Sequence, residues 1–358
     1  MRILALETSC DDTCAAVLDE SGRMLSNVIS SQVEHARFGG VVPEIASRHH
    51  LQIVNAIVEQ ALERAGSTLE DVQLVAATQG PGLVGALLVG LSTGKALAAA
   101  RELPFAPVDH LQGHVAANFI RAGADGETGA ARAGGDAPSA FEPPFVCLIA
   151  SGGHTLLALV REHDGYEVLG RTLDDAAGEA FDKGARMLGL GFPGGPALER
   201  LAADGDARAF SFPGSPGETR SGRGARAKRF ADSLDFSFAG VKTALLYKLR
   251  ELGETAARER AADLAASFQA AIVERLAMRT EQALARSGIG RLAVGGGVAA
   301  NGCLRRRLGE LDVQLHVPPR ALCTDNAAMI ASAARFREPL AYPRYLGLDA
   351  YATGETRR

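Results

Sequence analysis

The sequence predicts an α/β fold built twice. Strand-length apolar runs alternate with helix-length amphipathic runs. The opening pattern of three short strands separated by polar turns also returns midway along the 358 residues. A hydrophobic content of 47% is enough for sizeable cores, and the length suits about two domains.

In the first half, residues 2–6, 14–18 and 24–29 read as strands, with turns at 8–13 and 20–22 between them. A helix is expected over 43–64. Pro43 fits the first turn, and Ile45, Val54, Ile57, Val58, Ala61 and Leu62 form its apolar stripe. Then come a strand at 72–78, a glycine turn, an apolar helix at 83–100 and a strand at 105–108. Residues 121–144 break the pattern. They are rich in Ala, Gly, Asp and Pro and are expected to be a flexible insertion between lobes.

The pattern restarts with strands at 145–150, 155–160 and 166–171. The turn Ser151-Gly152-Gly153 falls where 8–13 fell before. Helices are expected at 175–188, 238–250 and 255–287, followed by a strand at 291–294, the turn Gly295-Gly296-Gly297 and a helix at 298–308. A strand at 313–317 and a helix at 325–336 close the reading. The domains expected are 1–120, the insertion 121–144, a second lobe 145–324, and 325–358 returning to the first lobe.

Composition narrows the class. No apolar run approaches the roughly 20 residues of a membrane span. The chain enters its first strand without a basic stretch or a cleavage site, so a cytoplasmic protein is expected. Five scattered cysteines, Cys10, Cys14, Cys147, Cys303 and Cys323, argue for reduced thiols over a disulfide framework. A net charge of −4 is unlike a dedicated nucleic-acid-binding domain, though it allows a local basic patch. Arg220, Arg223, Arg226, Lys228 and Arg229 form such a patch in a Gly/Ser-rich stretch, either a solvated loop or a phosphate-backbone contact.

Five groups of residues can carry chemistry. Gly295-Gly296-Gly297 either lets a ligand approach the backbone or is an ordinary tight turn, and it is not a Walker A loop. Asn301 beyond it either faces a nucleotide or hydrogen-bonds locally. The tip Ser151-Gly152-Gly153-His154-Thr155 exposes backbone N–H groups suited to phosphate, whereas the first tip offers hydroxyls with Asp11 and Asp12. His110 and His114, four apart on a helix, share a face and suit one metal ion. Leu111 stands where the zinc-peptidase motif needs Glu. Asp325 is the leading third ligand, its alternative role being to cap the last helix. Asp182 suits sugar hydroxyls, and Gly194-Gly195 admits a base or ribose, although acidic helix faces are common on surfaces.

Several motifs stand together in order: Glu7-Thr8-Ser9-Cys10-Asp11, Gly39-Gly40-Val41-Val42-Pro43-Glu44, Gly80-Pro81-Gly82-Leu83, His110-Leu111-Gln112-Gly113-His114 and Ser151-Gly152-Gly153-His154-Thr155. Asp174-Asp175-Ala176-Ala177-Gly178-Glu179-Ala180-Phe181-Asp182-Lys183, Asp235-Phe236-Ser237-Phe238, Gly295-Gly296-Gly297-Val298 and Cys323-Thr324-Asp325-Asn326 complete the set. Together they resemble the TsaD family over about residues 1–336, a family formerly described as O-sialoglycoprotein endopeptidases.

The resemblance implies an actin/Hsp70/sugar-kinase-like fold, two α/β lobes with a central nucleotide cleft. It implies transfer of a threonylcarbamoyl group from threonylcarbamoyl-adenylate to N6 of the adenosine following the anticodon, in tRNAs reading codons that begin with A, with AMP released. It implies a divalent metal, Fe2+ or else Zn2+, on His110, His114 and Asp325. Substrate contacts are implied at Ile149, Ala150, Ser151, Gly152, Gly153, Asp182, Gly195 and Asn301. In the mechanism expected here, Asp11 is either a general base or a support for the metal ligands. The implied partners are tRNA, TsaB-like and TsaE-like proteins and an upstream adenylate-forming enzyme, with no membrane. Asp12 and Gln112 stand where the family often has Glu. A sugar kinase or ATP-driven chaperone of the same superfamily would need no His/His/Asp site, and a metallopeptidase would need the Glu that Leu111 replaces.

Overall fold

The computed structural model describes residues 1–121, 141–215 and 232–352. Most of the expected insertion at 121–144 and all of the basic stretch at 220–229 lie outside them. Two compact units are present. Unit 1 comprises Met1–Pro143, Glu162–Gly165 and Pro318–Arg358, and unit 2 comprises Pro144–Arg161 and Tyr166–Val317.

Unit 1 is built on a five-stranded sheet of β1 (Arg2–Glu7), β2 (Asp12–Asp19), β3 (Met24–Ser31), β4 (Leu74–Gly80) and β5 (Phe105–Asp109), in the order β3-β2-β1-β4-β5. The first three strands form an antiparallel meander, while β4 and β5 join β1 in parallel. Parallel strands need crossovers, supplied by α1 (Pro43–Arg64) and α2 (Val84–Ala99). Leu4, Leu6, Val17, Val58, Leu91 and Phe105 lie in one buried cluster. Each side chain of this kind contributes about 1.5–3 kcal/mol by leaving water. The buried stripe of α1 is Ala46, His50, Val54, Ile57, Val58 and Ala61. It is rotated from the expected one, so Ile45 is only half-buried. The imidazole of His50 occupies the interior because it has polar partners there.

Unit 2 repeats the plan with β6 (Phe145–Ala150), β7 (Thr155–Glu162), β8 (Gly165–Arg171), β9 (Arg291–Gly295) and β10 (Gln314–His316), in the order β10-β9-β6-β7-β8. β6 pairs antiparallel with β7 and parallel with β9, as β1 does with β2 and β4. The helices α4 (Ala177–Met187), α5 (Gly194–Ala202), α6 (Ala239–Glu259), α7 (Ala261–Ser287) and α8 (Gly302–Gly309) accompany this sheet. Three differ from expectation. α5 was not among the expected helices, and it begins on Gly194-Gly195-Pro196, residues that form helix poorly. α6 is interrupted at Gly253, near the expected break, but resumes to Glu259. The helix expected at 298–308 is a 3-10 turn over Gly297–Ala300 followed by α8.

In unit 1, α3 (His110–Ala116) follows β5 directly, and α9 (Ala327–Ala334) packs across it. The Ser332 hydroxyl donates to the Ala116 carbonyl at 2.8 Å. A Cβ at Gly113 would sit 2.8 Å from Ile330 Cδ1, so glycine lets the two helices approach this closely. No helix among the described residues is long and apolar enough to cross a membrane.

Candidate functional site

α3 starts where β5 ends, because the Asp109 carboxylate caps it by accepting the Gln112 N–H at 2.9 Å. The helix then presents His110 and His114 on one face, with ring centroids 4.7 Å apart. Asp325 reaches both from the start of α9. Its Oδ1 lies 3.6 Å from His110 Nε2 and 3.3 Å from His114 Nε2, and the three ligand atoms all fall within 4.8 Å of one another. Asp325 is not the helix cap. That role belongs to the fully buried Asn326, whose side-chain oxygen accepts the Met329 N–H at 3.0 Å and whose amide donates to the Thr324 carbonyl at 2.8 Å.

The donor set suits a cation. His114 is fully buried, yet neither of its ring nitrogens has a hydrogen-bond partner. A buried polar atom left this way costs about 1–3 kcal/mol, and an ion coordinated by Nε2, the nitrogen facing Asp325, would remove that cost there. His110 Nδ1 lies 3.1 Å from Glu7 Oε2 and 3.3 Å from the Ser9 hydroxyl. A proton on Nδ1 directed at Glu7 leaves the Nε2 lone pair facing Asp325, the arrangement that orients metal-binding imidazoles. Without an ion, burial pushes His110 toward neutrality, but the Asp325 and Glu7 carboxylates outweigh it and raise the imidazole to about 9, so a bound cation would take the place of the Nε2 proton between His110 and Asp325. Glu7 is wholly buried. Desolvation raises it, yet His110 and a hydrogen bond from Thr78 leave it below the ordinary carboxylate range.

The hydroxyls of the first tip turn inward. Thr8 donates to the Ala86 carbonyl at 2.8 Å, Ser9 faces His110, and Thr13 lies 2.7 Å from His50 Nδ1. His50 Nε2 donates to the Cys10 carbonyl at 3.0 Å, so His50 fixes the backbone of this tip. His50 was absent from the candidate residues, though its spacing of four from Ala46 and Val54 marks it as interior. Asp11 is half-buried on the same tip. Burial and then Asp325 push Asp12 up to about 7. All five cysteines are free, and burial pushes Cys10 and Cys14 well above the usual thiol value. Gln112, at the position where a Glu is common, donates to the His163 carbonyl at 2.8 Å.

In unit 2, Gly152 and Gly153 stand exposed at the β6–β7 tip, closed by the Ser151 N–H donating to the His154 carbonyl at 2.8 Å. The second residue of α4 supports it, Gly178 N–H donating to the Ser151 carbonyl at 3.0 Å. Ile149 and Ala150 are fully buried in β6, below the tip. Asp182 Oδ1 accepts the Gly194 and Gly195 N–H groups at 2.8 and 3.3 Å, holding the start of α5. Asn301 caps α8 by accepting the Leu304 N–H at 2.9 Å and donates to Gln269 at 2.8 Å. Asp182 and Asn301 therefore both shape backbone.

Asp174 and Asp175 are also structural. Asp174 accepts the Phe238 N–H at 2.7 Å, and Asp175 pairs with Lys183 at 2.8 Å and Lys242 at 2.6 Å.

The family model described as TsaD, tRNA N6-adenosine threonylcarbamoyltransferase, matches residues 23–332. Proteins of that name from Clostridium botulinum (strain 657 / Type Ba4) and Clostridium perfringens (strain SM101 / Type A) are 45% and 46% identical to this chain. The alignments cover 94% and 93% of it and 92% of each relative. Among solved structures, component A of the (R)-2-hydroxyglutaryl-CoA dehydratase of Acidaminococcus fermentans matches with a TM-score of 0.52 at 14% identity, covering 97% of this chain and 99% of that one. Full-length HypF in its phosphate- and nucleotide-bound form matches with a TM-score of 0.55 at 13% identity, covering 93% of this chain and 55% of that one. At such identities the likeness speaks for the fold alone, which is the duplicated α/β fold expected from sequence.

Proposed function

Because the chain belongs to the TsaD family of tRNA N6-adenosine threonylcarbamoyltransferases, we propose that it moves the threonylcarbamoyl group of threonylcarbamoyl-adenylate to N6 of the adenosine following the anticodon, in tRNAs reading codons that begin with A, and releases AMP. The observation that carries this reading is the meeting of His110, His114 and Asp325, with the buried His114 nitrogens unpartnered.

A divalent cation, Fe2+ or Zn2+, held by those three residues would supply Lewis-acid stabilisation of the charge that builds on the acyl oxygen. Glu7 and Ser9 orient His110 for it. In the transfer, N6 bonds to the carbamoyl carbon and the bond from that carbon to the phosphate oxygen breaks. AMP leaves with the electron pair, and the N6 proton passes to Asp11. In unit 2, the Ser151-Gly152-Gly153 backbone receives the phosphate. Ile149 and Ala150 support that tip, and Asp182, Gly195 and Asn301 form the nucleoside's surroundings. A TsaB-like protein, a TsaE-like protein and an enzyme making the adenylate act with the chain.

The test is mass spectrometry of tRNA nucleosides from cells depleted of the protein, joined to AMP release by the purified chain with its partners. Loss of threonylcarbamoyladenosine is expected. An unchanged level on depletion, or AMP release that does not depend on tRNA, would refute the reading.

A further inference from the structure

Beyond α9 the chain runs back along unit 1. Leu340 and Phe105 exchange both backbone hydrogen bonds, at 2.8 and 2.9 Å, so the segment pairs with β5, an outermost strand of the first sheet. Lys95 on α2 donates to the carbonyls of Leu346 and Leu348 at 3.2 and 2.8 Å. The segment then crosses the C-terminal ends of β4 and β5. Gln79 Nε2 donates to the Asp349 carbonyl at 2.9 Å, and the Tyr351 N–H donates to the Gln79 carbonyl at 3.2 Å. Gly80 is where the contact is tightest, because a Cβ there would overlap the Tyr351 carbonyl oxygen.

The Tyr351 hydroxyl lies 2.6 Å from Asp109 Oδ2 and 2.8 Å from the Gly80 carbonyl oxygen. Its one proton favours the carboxylate, which is both charged and closer. The other oxygen of Asp109 caps α3. With seven residues, α3 is about two turns long and has little helical cooperativity of its own. Its direction depends on what holds its ends, and the first residue after the cap is His110.

We propose that Tyr351 is a positioning residue for the metal centre: through Asp109 it fixes the start of α3, and so the direction in which His110 and His114 face Asp325. The proposal rests on the reading of those three residues as metal ligands. It gives the segment past α9 a role in the chemistry as well as in covering β5.

Tyr351→Phe tests it, since the ring is kept and only the hydroxyl is lost. Metal-free full-length chain is titrated with Co2+, followed by its visible absorption. Affinity is expected to fall about tenfold, the low end for a group that acts through a ligand's surroundings, with a shifted absorption band as ligand geometry relaxes. Asp109→Ser still caps the helix but is too short to reach the Tyr351 hydroxyl as well, and is expected to lose a similar amount. The double variant should lose no more than either single one. Lys95→Met loosens the same segment away from Asp109 and should lower Tm with Co2+ affinity unchanged. A Tyr351→Phe variant with lowered Tm but unaltered affinity and spectrum would make the hydroxyl a stability element only and overturn the proposal. Additive losses in the double variant would do the same. A wild-type chain that binds no Co2+ would overturn the ligand reading and this proposal with it.

Discussion

Replacing Asn326 by Ala should cost the protein stability and metal together. The side chain is fully buried, accepts the Met329 N–H at 3.0 Å, and donates to the Thr324 carbonyl at 2.8 Å. Losing the cap costs about 1 kcal/mol. Thr324 is exposed, so water can replace the lost donor at its carbonyl, while the buried Leu322 carbonyl, 3.4 Å from the same amide, loses its bond; together these add about 1 kcal/mol, so the total is about 2 kcal/mol. Asn326→Ser keeps the accepting oxygen and should recover about 1 kcal/mol of this. The chain has no Trp, so urea unfolding is followed by far-UV circular dichroism. Hydrogen exchange at the α9 amides identifies the transition that belongs to unit 1. Because Asp325 is the neighbouring residue, Co2+ affinity should fall in the Ala variant and partly return in the Ser variant. A loss below about 0.5 kcal/mol in Asn326→Ala, the range of a neutral surface change, would show that the cap is not what anchors Asp325.

His114→Ala should lower metal affinity more than about 100-fold, beyond what outer partners contribute, and abolish transfer; full occupancy measured by elemental analysis would remove it from the ligand set. Glu7→Gln should weaken Co2+ binding about 10- to 100-fold by loosening the orientation of His110, and an unchanged affinity would show that Ser9 alone suffices. Asp175→Asn breaks contacts to Lys183 and Lys242, whose side chains are 35% and 24% exposed, so about 1–2 kcal/mol is expected at pH 7 after screening. Burial raises Asp175, but the two lysines outweigh it and hold the carboxyl below its ordinary value. Its contribution is therefore present above the unfolded carboxylate pKa and is lost as pH falls through the lower folded value. The stability gap between wild type and Asp175→Asn should close on acidification, and a gap constant from pH 7 to pH 2 would refute the ion-pair account.

The two sheets were legible because their opening strands are short apolar runs punctuated by polar or glycine turns, and that pattern occurs twice. α5 was not, since its opening residues Gly194-Gly195-Pro196 form helix poorly. Its helix starts there because Asp182, distant in sequence, accepts the first two amides. Asp325 and Asn326 are both good caps by residue type, so only packing shows that Asn326 takes the cap and Asp325 turns to the histidines. Glu7 stood in plain view within its motif, but its partner His110 comes from another strand end. The same distance hid Asp109 and Tyr351. Side chains bonded across long stretches of chain leave no periodicity to read.

The division of unit 1 into separated stretches has a consequence for biosynthesis. A ribosome delivers the chain from its N-terminus, so His110 and His114 emerge well before Pro318–Arg358, the stretch that completes their unit. Until that stretch is made, the nascent protein holds two histidines without Asp325, with the β5 edge still bare of Leu340. Such an edge invites pairing with other chains. A truncated translation product would thus carry an incomplete ligand set and an adhesive strand, and quality control has a physical handle for telling it from the finished enzyme.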